Sequence, residues 1–107
     1  MKFRINDLDW LITERFDERI EKIGKGVWGF TSAEHGIIAL RSTLPSSRKR
    51  NILMHELTHA FIFSYLITHL ATEPSKDYTE EELCNFVASY GARIVKIANE
   101  YFKKCHP

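Results

Sequence analysis

Residues 54–63 have the sequence MHELTHAFIF, in which two histidines lie four positions apart and a glutamate directly follows the first. Residues four apart on an α-helix share one face, so His55 and His59 can direct their ring nitrogens at one point. Zinc favours nitrogen ligands of this kind in tetrahedral geometry. Glu56 lies beside the pair, where it can take a proton from a metal-bound water. The stretch therefore predicts a zinc-binding helix with the chemistry of a metallopeptidase.

The same stretch also fits an ordinary half-buried helix. In that interpretation its apolar residues form one face against a core, and the histidines only border that face. A third ligand helps to decide between the two, because catalytic zinc sites use three protein ligands and leave one position for water. The apolar residues of this alternative are Ile52, Leu53, Ala60 and Phe63.

The third ligand must come from elsewhere in the chain. A metzincin continuation of the motif needs glycine at position 62 and histidine at position 65, and the sequence has Ile62 and Tyr65 there. The other solution is a glutamate on a later helix, and residues 80–88 read EEELCNFVA. Glu81 is the predicted ligand. Asn85, four residues further on, shares its helix face and can accept a hydrogen bond from a ligand histidine.

Two neighbouring glutamates leave the choice of ligand open. On a helix, Glu80 and Glu82 point about 100° to either side of Glu81, so they are the alternative ligands. All three charges also favour a helix N-terminus without any metal. The residues expected to pack around the polar pair, or to be buried beside it, are Leu83, Cys84, Val87 and Ala88.

The N-terminal half of the chain predicts strands. Residues 2–12 alternate in polarity with a phase shift at Asn6-Asp7, which indicates a bulge or bend in an extended segment. A hairpin follows, with strands near residues 27–32 and 37–41 and a turn that ends at Gly36. Between these segments, the spacing of apolar residues over 16–23 predicts a short helix that stops at Gly24.

Two long helices complete the predicted fold. The first starts at Ser46-Ser47 and runs to about Tyr65, and the second follows the cap residue Thr79 and runs to about Phe102. This order predicts an α+β domain over residues 1–107, with a small antiparallel sheet packed on the zinc-binding helix. The second long helix would bring the third ligand to the zinc.

Composition restricts the possible partners. The formal net charge of +1 gives no general attraction for nucleic acid, and no recognition-helix signature is present. The N-terminal residues lack the apolar run of a signal peptide, and no segment is apolar enough to span a membrane. Two cysteines, Cys84 and Cys105, suit a reducing compartment. A cytoplasmic protein without a nucleic-acid or membrane partner is expected.

The two motifs together resemble a known family. ILMHELTHAF, preceded by a hairpin and followed by EELCNFVA, is similar to the ImmA/IrrE family of small zinc peptidases, which are common in phages and mobile elements. The family has a glutamate three residues before Ala-Asn and then Phe-Ala. Glu81, Cys84-Asn85 and Val87-Ala88 stand at these positions, with Cys84 in place of alanine and Val87 in place of phenylalanine. The resemblance implies a minimal zincin of the gluzincin type that cleaves a specific transcriptional repressor.

The function predicted from these features is zinc-dependent cleavage of a protein substrate, with Glu56 as general base. An extended substrate could pair with a hairpin strand, and the strand at 37–41 is preferred over 27–32 because it leads into the zinc helix. The alternative is a zinc-containing binding module, such as an anti-repressor or toxin-like effector, which holds a partner without proteolysis. The intact Glu56 favours the enzyme, because a binding site needs no base.

Other polar residues are assigned to the surface or to packing. The three cations of SSRKRN at residues 46–51 are expected to form a solvated face. His35, His69 and His106 are not predicted to bind metal. Tyr65 and Tyr78 are predicted to be packing or rim residues.

Overall fold

The computed structural model describes residues 1–14, 28–65 and 79–106. The predicted helix at 16–23 and the connection around Pro74 lie outside these residues. The described part is α+β, which confirms the predicted fold class, and its strands precede both long helices. Its elements are β1 Lys2–Ile5, β2 Leu8–Glu14, β3 Gly29–Ser32, β4 Ile37–Leu40, α1 Ser46–Ser64 and α2 Glu80–Cys105.

The predicted bend at Asn6-Asp7 is the two-residue turn of a hairpin between β1 and β2. Both residues have positive φ angles, 48° for Asn6 and 65° for Asp7. Asparagine and aspartate tolerate this left-handed conformation better than other non-glycine residues, and such turns match the twist of antiparallel strands. The Asn6 side chain also donates from Nδ2 to the Ser64 carbonyl at 2.9 Å. The turn is thereby fixed to the end of α1.

The sheet is mixed, whereas a wholly antiparallel sheet was predicted. Its strand order is β1-β2-β4-β3, and β2 and β4 run parallel. Each hairpin is antiparallel, as expected from its short turn. Pairing between the two hairpins is a long-range contact that no local pattern reports, and the segment between β2 and β4 is long enough for the crossover that a parallel pair needs. As a result β4 lies inside the sheet and β3 lies at its edge.

Gly36 ends the turn between β3 and β4, as predicted. Its φ angle is +65°, and a Cβ atom there would lie 2.5 Å from the carbonyl oxygen of Asp9. Both the conformation and the lack of space exclude a side chain at this position. The close approach ties the second hairpin to the start of β2.

The helices have nearly the predicted boundaries. α1 begins at Ser46 behind Pro45, without a side-chain cap, and Tyr65 follows its last residue. The Thr79 hydroxyl caps α2 by accepting a hydrogen bond from the Glu82 amide at 3.2 Å. α2 then continues to Cys105, three residues beyond the predicted end. No helix among the described residues has the length and apolar content that a membrane span requires.

The core lies between one face of the sheet and the two helices. α1 contributes side chains at helical spacing, and α2 covers them with a single apolar stripe. Full burial of each large aliphatic or aromatic side chain contributes about 1.5–3 kcal/mol to folding. The buried apolar residues are Ile5, Trp10, Ile12, Ile38, Ala39, Leu40, Leu53, Leu57, Ala60, Phe61, Phe86, Ile94, Ala98 and Tyr101.

A polar cluster joins the ends of β2, α1 and α2. Lys49 is only 6% exposed, and its ammonium donates to Glu14 at 2.6 Å and to the Ser42 carbonyl at 3.2 Å. The hydroxyl of Tyr101 donates to the second oxygen of Glu14, which the ring of His106 also contacts. Burial would raise the pKa of the Glu14 carboxyl. The three hydrogen bonds and the charge of Lys49 outweigh it and hold the pKa below the ordinary 4.5.

The expected solvated face at the start of α1 is wrong for Lys49, whereas Arg48 is exposed and Arg50 is half-buried. Lys49 is buried in the cluster with Glu14. The Arg48 guanidinium lies over the Trp28 ring, 5.4 Å from its centroid. Arg50 donates to the side-chain oxygen of Asn99 at 2.6 Å. These partners lie far away in sequence, which is why the local charge pattern did not reveal them.

Candidate metal centre

The side chains of His55 and His59 converge on α1. Their Nε2 atoms are 3.2 Å apart, and both residues are exposed. Two nitrogens bound to one tetrahedral zinc at about 2.05 Å would lie about 3.3 Å apart. The separation of the two nitrogens therefore fits one bound ion. Without an ion, one ring nitrogen can donate a hydrogen bond to the other.

Glu56 lies next to this pair and is 6% exposed. Its Oε2 atom accepts a hydrogen bond of 2.9 Å from the hydroxyl of Thr31 in β3. The ligand atoms of His55, Glu56 and His59 all lie within 4.8 Å of one another. The structure thus brings together the three residues that the sequence motif predicted, and it buries the one assigned to proton transfer.

Sequence reasoning missed Thr31. The residue precedes Glu56 by 25 positions, and threonine is common in strands because its β-branched side chain fits a pleated surface. No local pattern distinguishes a threonine that contacts a helix from one that only packs. The contact depends on the position of β3 beside α1, which only the folded chain reveals.

The main-chain groups of β3 alternate between its partner strand and the sheet edge. The Arg41 amide donates to the Trp28 carbonyl at 2.8 Å, so these two residues form a hydrogen-bonded antiparallel pair. Because such pairs alternate with non-bonded ones, Gly29 and Thr31 direct their N–H and C=O groups away from β4. In the described part of the sheet β3 pairs with β4 alone. Among the residues that the structure describes, these groups therefore have no partner strand.

β3 approaches α1 closely because Gly29 has no side chain. A Cβ atom at Gly29 would lie 2.8 Å from Cγ2 of Ile52 and 3.0 Å from the Ala39 carbonyl oxygen. The contact with Ile52 would push the strand away from the helix, and the contact with Ala39 would crowd the neighbouring strand β4. The strand and α1 are thus held side by side, with Thr31 against Glu56.

Comparison with known protein families identifies the family of this chain. Residues 12–106 match the peptidase family M78, described as the IrrE N-terminal-like domain. The chain belongs to this family. The match covers nearly its whole length and confirms the resemblance seen in the two motifs. No curated protein and no solved structure shows a significant match.

The IrrE-like family is a metallopeptidase family, and the group at residues 55–59 agrees with that class. The chain therefore carries a metallopeptidase domain with a site suited to a metal ion. Imidazole nitrogens and a carboxylate are ligands that zinc accepts.

The predicted third ligand lies on α2 in this IrrE-like chain. Glu81 and its predicted partner Asn85 are exposed, and neither belongs to the group formed by the histidines and Glu56. On a helical projection Glu81 lies about 140° from the buried Phe86, whereas Glu82 lies about 40° from it. One carboxylate oxygen of Glu82 is buried. The ligand role of Glu81 stays a prediction. Of the two residues, Glu82 lies nearer to the buried face of α2.

The apolar packing expected around Glu81 was wrong. Leu83 is 49% exposed and Val87 is 57% exposed, and Cys84 and Ala88 are exposed as well. The buried stripe of α2 instead passes through Phe86, which makes a tilted ring contact with Tyr90. The local sequence contains apolar residues on several faces, so it did not determine which face meets α1.

The other tyrosines and histidines considered in the sequence lie away from the group at residues 55–59, where the structure describes them. Tyr65 stacks on Phe61 and Tyr90, and its hydroxyl accepts a hydrogen bond from Arg93, which confirms a packing role. His35 is exposed in the turn before β4. His106, which was expected only to be a surface residue, contacts Glu14. His69 and Tyr78 lie outside the described residues.

An open cavity of about 580 Å³, lined by both apolar and polar residues, lies at the C-terminal ends of β3 and α1. Phe63 lines it and lies four residues after His59, so the two share one helix face. Trp10 forms another wall and is fixed by a hydrogen bond of 2.9 Å from its indole N–H to the Ser64 hydroxyl. Neither His55 nor His59 lines this cavity.

Proposed function

We propose that the protein is a zinc-dependent peptidase that cleaves one specific protein substrate. The convergence of the two Nε2 atoms beside a buried Glu56 carries this proposal, because a helix that only packed would need neither feature. Zinc bound there would polarise the scissile carbonyl and make the attacking water more acidic. Glu56 takes the proton from that water and then delivers it to the leaving amine.

The proposed ligands are His55, His59 and a glutamate of α2. The family motif favours Glu81, and the buried oxygen of Glu82 makes that residue the alternative. Three protein ligands leave one position open for water, which is the stoichiometry of catalytic zinc.

The substrate is proposed to bind as an added strand at the edge of β3. The prediction that β4 would accept it is wrong, because β4 is already paired on both sides. The edge groups of Gly29 and Thr31 are the available partners for an extended main chain. The family resemblance makes a transcriptional repressor of a mobile element the proposed substrate.

A binding module without proteolysis is the second candidate. The exposure of His55 and His59 favours it, because a peptidase usually encloses its reacting bond. Against it stands Glu56, since a metal scaffold has no use for a buried carboxylate held by a hydroxyl.

Metal content tests the proposed zinc site at His55 and His59. Purified protein should contain about one zinc ion per chain, and His55→Ala and His59→Ala should each lose it, because two protein ligands hold zinc far less tightly than three. Elemental analysis after dialysis measures the ratio. His35→Ala is the matched control, since His35 lies outside the site. Full zinc content in either site variant would contradict the assignment.

The same measurement identifies the third ligand. Glu81→Ala should reduce zinc content more than Glu80→Ala or Glu82→Ala does. If Glu82→Ala has the largest effect, the ligand is Glu82, on the buried side of the helix.

A further inference from the structure

Thr31 makes two contacts with Glu56 that the family motif does not describe. Its hydroxyl lies 2.9 Å from the carboxylate Oε2 and 3.2 Å from the main-chain carbonyl of the same residue. A hydroxyl has one proton to donate, and the shorter contact to a charged oxygen is the stronger one. The proton is therefore assigned to the carboxylate.

The geometry points to Thr31 as a positioning residue that holds the Glu56 carboxylate in place for proton transfer. This inference rests on the proposed peptidase function. Glutamate has several rotatable bonds, and fixing a long side chain costs up to about 2 kcal/mol of conformational entropy. A hydrogen bond to Oε2 fixes the orientation of the carboxylate group. It leaves Oε1 for the attacking water. Catalytic groups need such support to keep their productive geometry.

Thr31 is itself held firmly. Its β-branched side chain has few rotamers, and it lies opposite the fully buried Ile38 in the β3–β4 pair. Gly29, two residues earlier, allows the strand to touch α1 at Ile52. The hydroxyl is thus presented to Glu56 from a strand whose distance to the helix is fixed at two points.

The main chain of Thr31 lies at the proposed substrate-binding edge of β3. Its N–H and C=O groups point away from β4, toward the edge where the substrate is proposed to pair, while its side chain contacts Glu56. One residue would then position both the bound peptide and the base. Loss of the hydroxyl should affect the base alone, because substrate pairing uses only main-chain groups.

The test compares Thr31→Val, which keeps the shape but removes the hydroxyl, with Thr31→Ser, which keeps the hydroxyl. Thr13→Val is the matched control, because Thr13 is a half-buried strand residue of β2 outside the site. The probe is a quenched fluorogenic peptide that the parent cleaves. Loss of such a supporting hydrogen bond typically costs about 10- to 100-fold in activity, so Thr31→Val should lose that much of kcat.

In the same assay KM of Thr31→Val should change less than about 2-fold, and zinc content should equal that of the parent. Thr31→Ser should restore kcat to within about 3-fold, and Thr13→Val should match the parent. An unchanged kcat in Thr31→Val, or a loss in Thr31→Ser as large as that in Thr31→Val, would overturn the inference. Thr31→Ala replaces Thr31→Val if the latter does not fold.

Crystal structures separate this inference from the proposed function. In zinc-loaded Thr31→Val, the Glu56 carboxylate should leave its parental position or occupy several positions. If the parent cleaves no peptide, the peptidase proposal fails, and the crystal structures alone decide the role of Thr31. A carboxylate that stays within about 0.5 Å of its parental position without the hydroxyl would overturn that role.

Discussion

Glu56→Gln is expected to leave zinc bound and to lower kcat by about 10² to 10⁴-fold, the usual contribution of a positioned acid–base group. Glutamine keeps the size of the side chain and can still accept the Thr31 hydrogen bond through its carbonyl oxygen. It cannot accept the proton of the attacking water. Peptide hydrolysis and zinc content, measured on the same preparation, check both halves of this result. Glu100→Gln near the C-terminal end of α2 is the matched control.

The variant also separates the two candidate functions. A peptidase loses its cellular effect together with cleavage when Glu56 is replaced. A binding module that needs the metal only as a scaffold retains its effect in Glu56→Gln. A full cellular response without any cleavage product would therefore contradict the enzyme and support the binder.

Glu14→Leu is expected to lower the free energy of unfolding by about 3–5 kcal/mol, because it leaves the ammonium of Lys49 buried without its carboxylate. That loss is a large share of the stability of a small domain. The double variant Glu14→Leu/Lys49→Met should recover most of it, since no buried charge remains. Urea denaturation measures four proteins: the parent, Glu14→Leu, Lys49→Met and the double variant. If the loss in the double variant equals the sum of the two single losses, the pairing of Glu14 with Lys49 is contradicted.

An exposed ion pair supplies the control for this cluster. Arg4 and Asp9 are 3.1 Å apart, with side chains 64% and 88% exposed. Solvent screens such pairs, so Arg4→Met should change stability by less than about 1 kcal/mol. A loss as large as that of Glu14→Leu would show that the effect does not depend on burial.

The pH dependence of the cluster follows from the direction of the Glu14 shift. Its pKa is lowered in the folded protein, so the folded state favours the charged form more than the unfolded chain does. This contribution is present above the ordinary pKa of 4.5 and is lost as pH falls through the lowered folded value. The stability gap between the parent and Glu14→Leu should narrow in acid and stay constant near neutral pH.

The parts of the site that the sequence predicted are those set by local geometry. The spacing of His55 and His59 determines their convergence once the segment is a helix, and the position of Glu56 follows from the same turn. The cap at Thr79 and the turn at Gly36 are likewise local features with strong residue preferences.

The parts that it missed depend on contacts between distant segments. The parallel pairing of β2 with β4, the hydroxyl of Thr31 and the pairing of Lys49 with Glu14 each join residues far apart in the chain. A charge run or a strand threonine looks the same whether or not it finds such a partner. The face of α2 was misjudged for a related reason, since Leu83 and Val87 were as plausible for packing as Phe86.

Hydrolysis by the metal-loaded parent tests the central claim most directly. Protein with about one zinc per chain is incubated with a library of quenched fluorogenic peptides, with and without a zinc chelator. The account predicts cleavage of a subset of peptides by the parent, loss of cleavage with the chelator and recovery when zinc is restored. No cleavage by the fully loaded parent, or cleavage that continues unchanged after the zinc is removed, would contradict it.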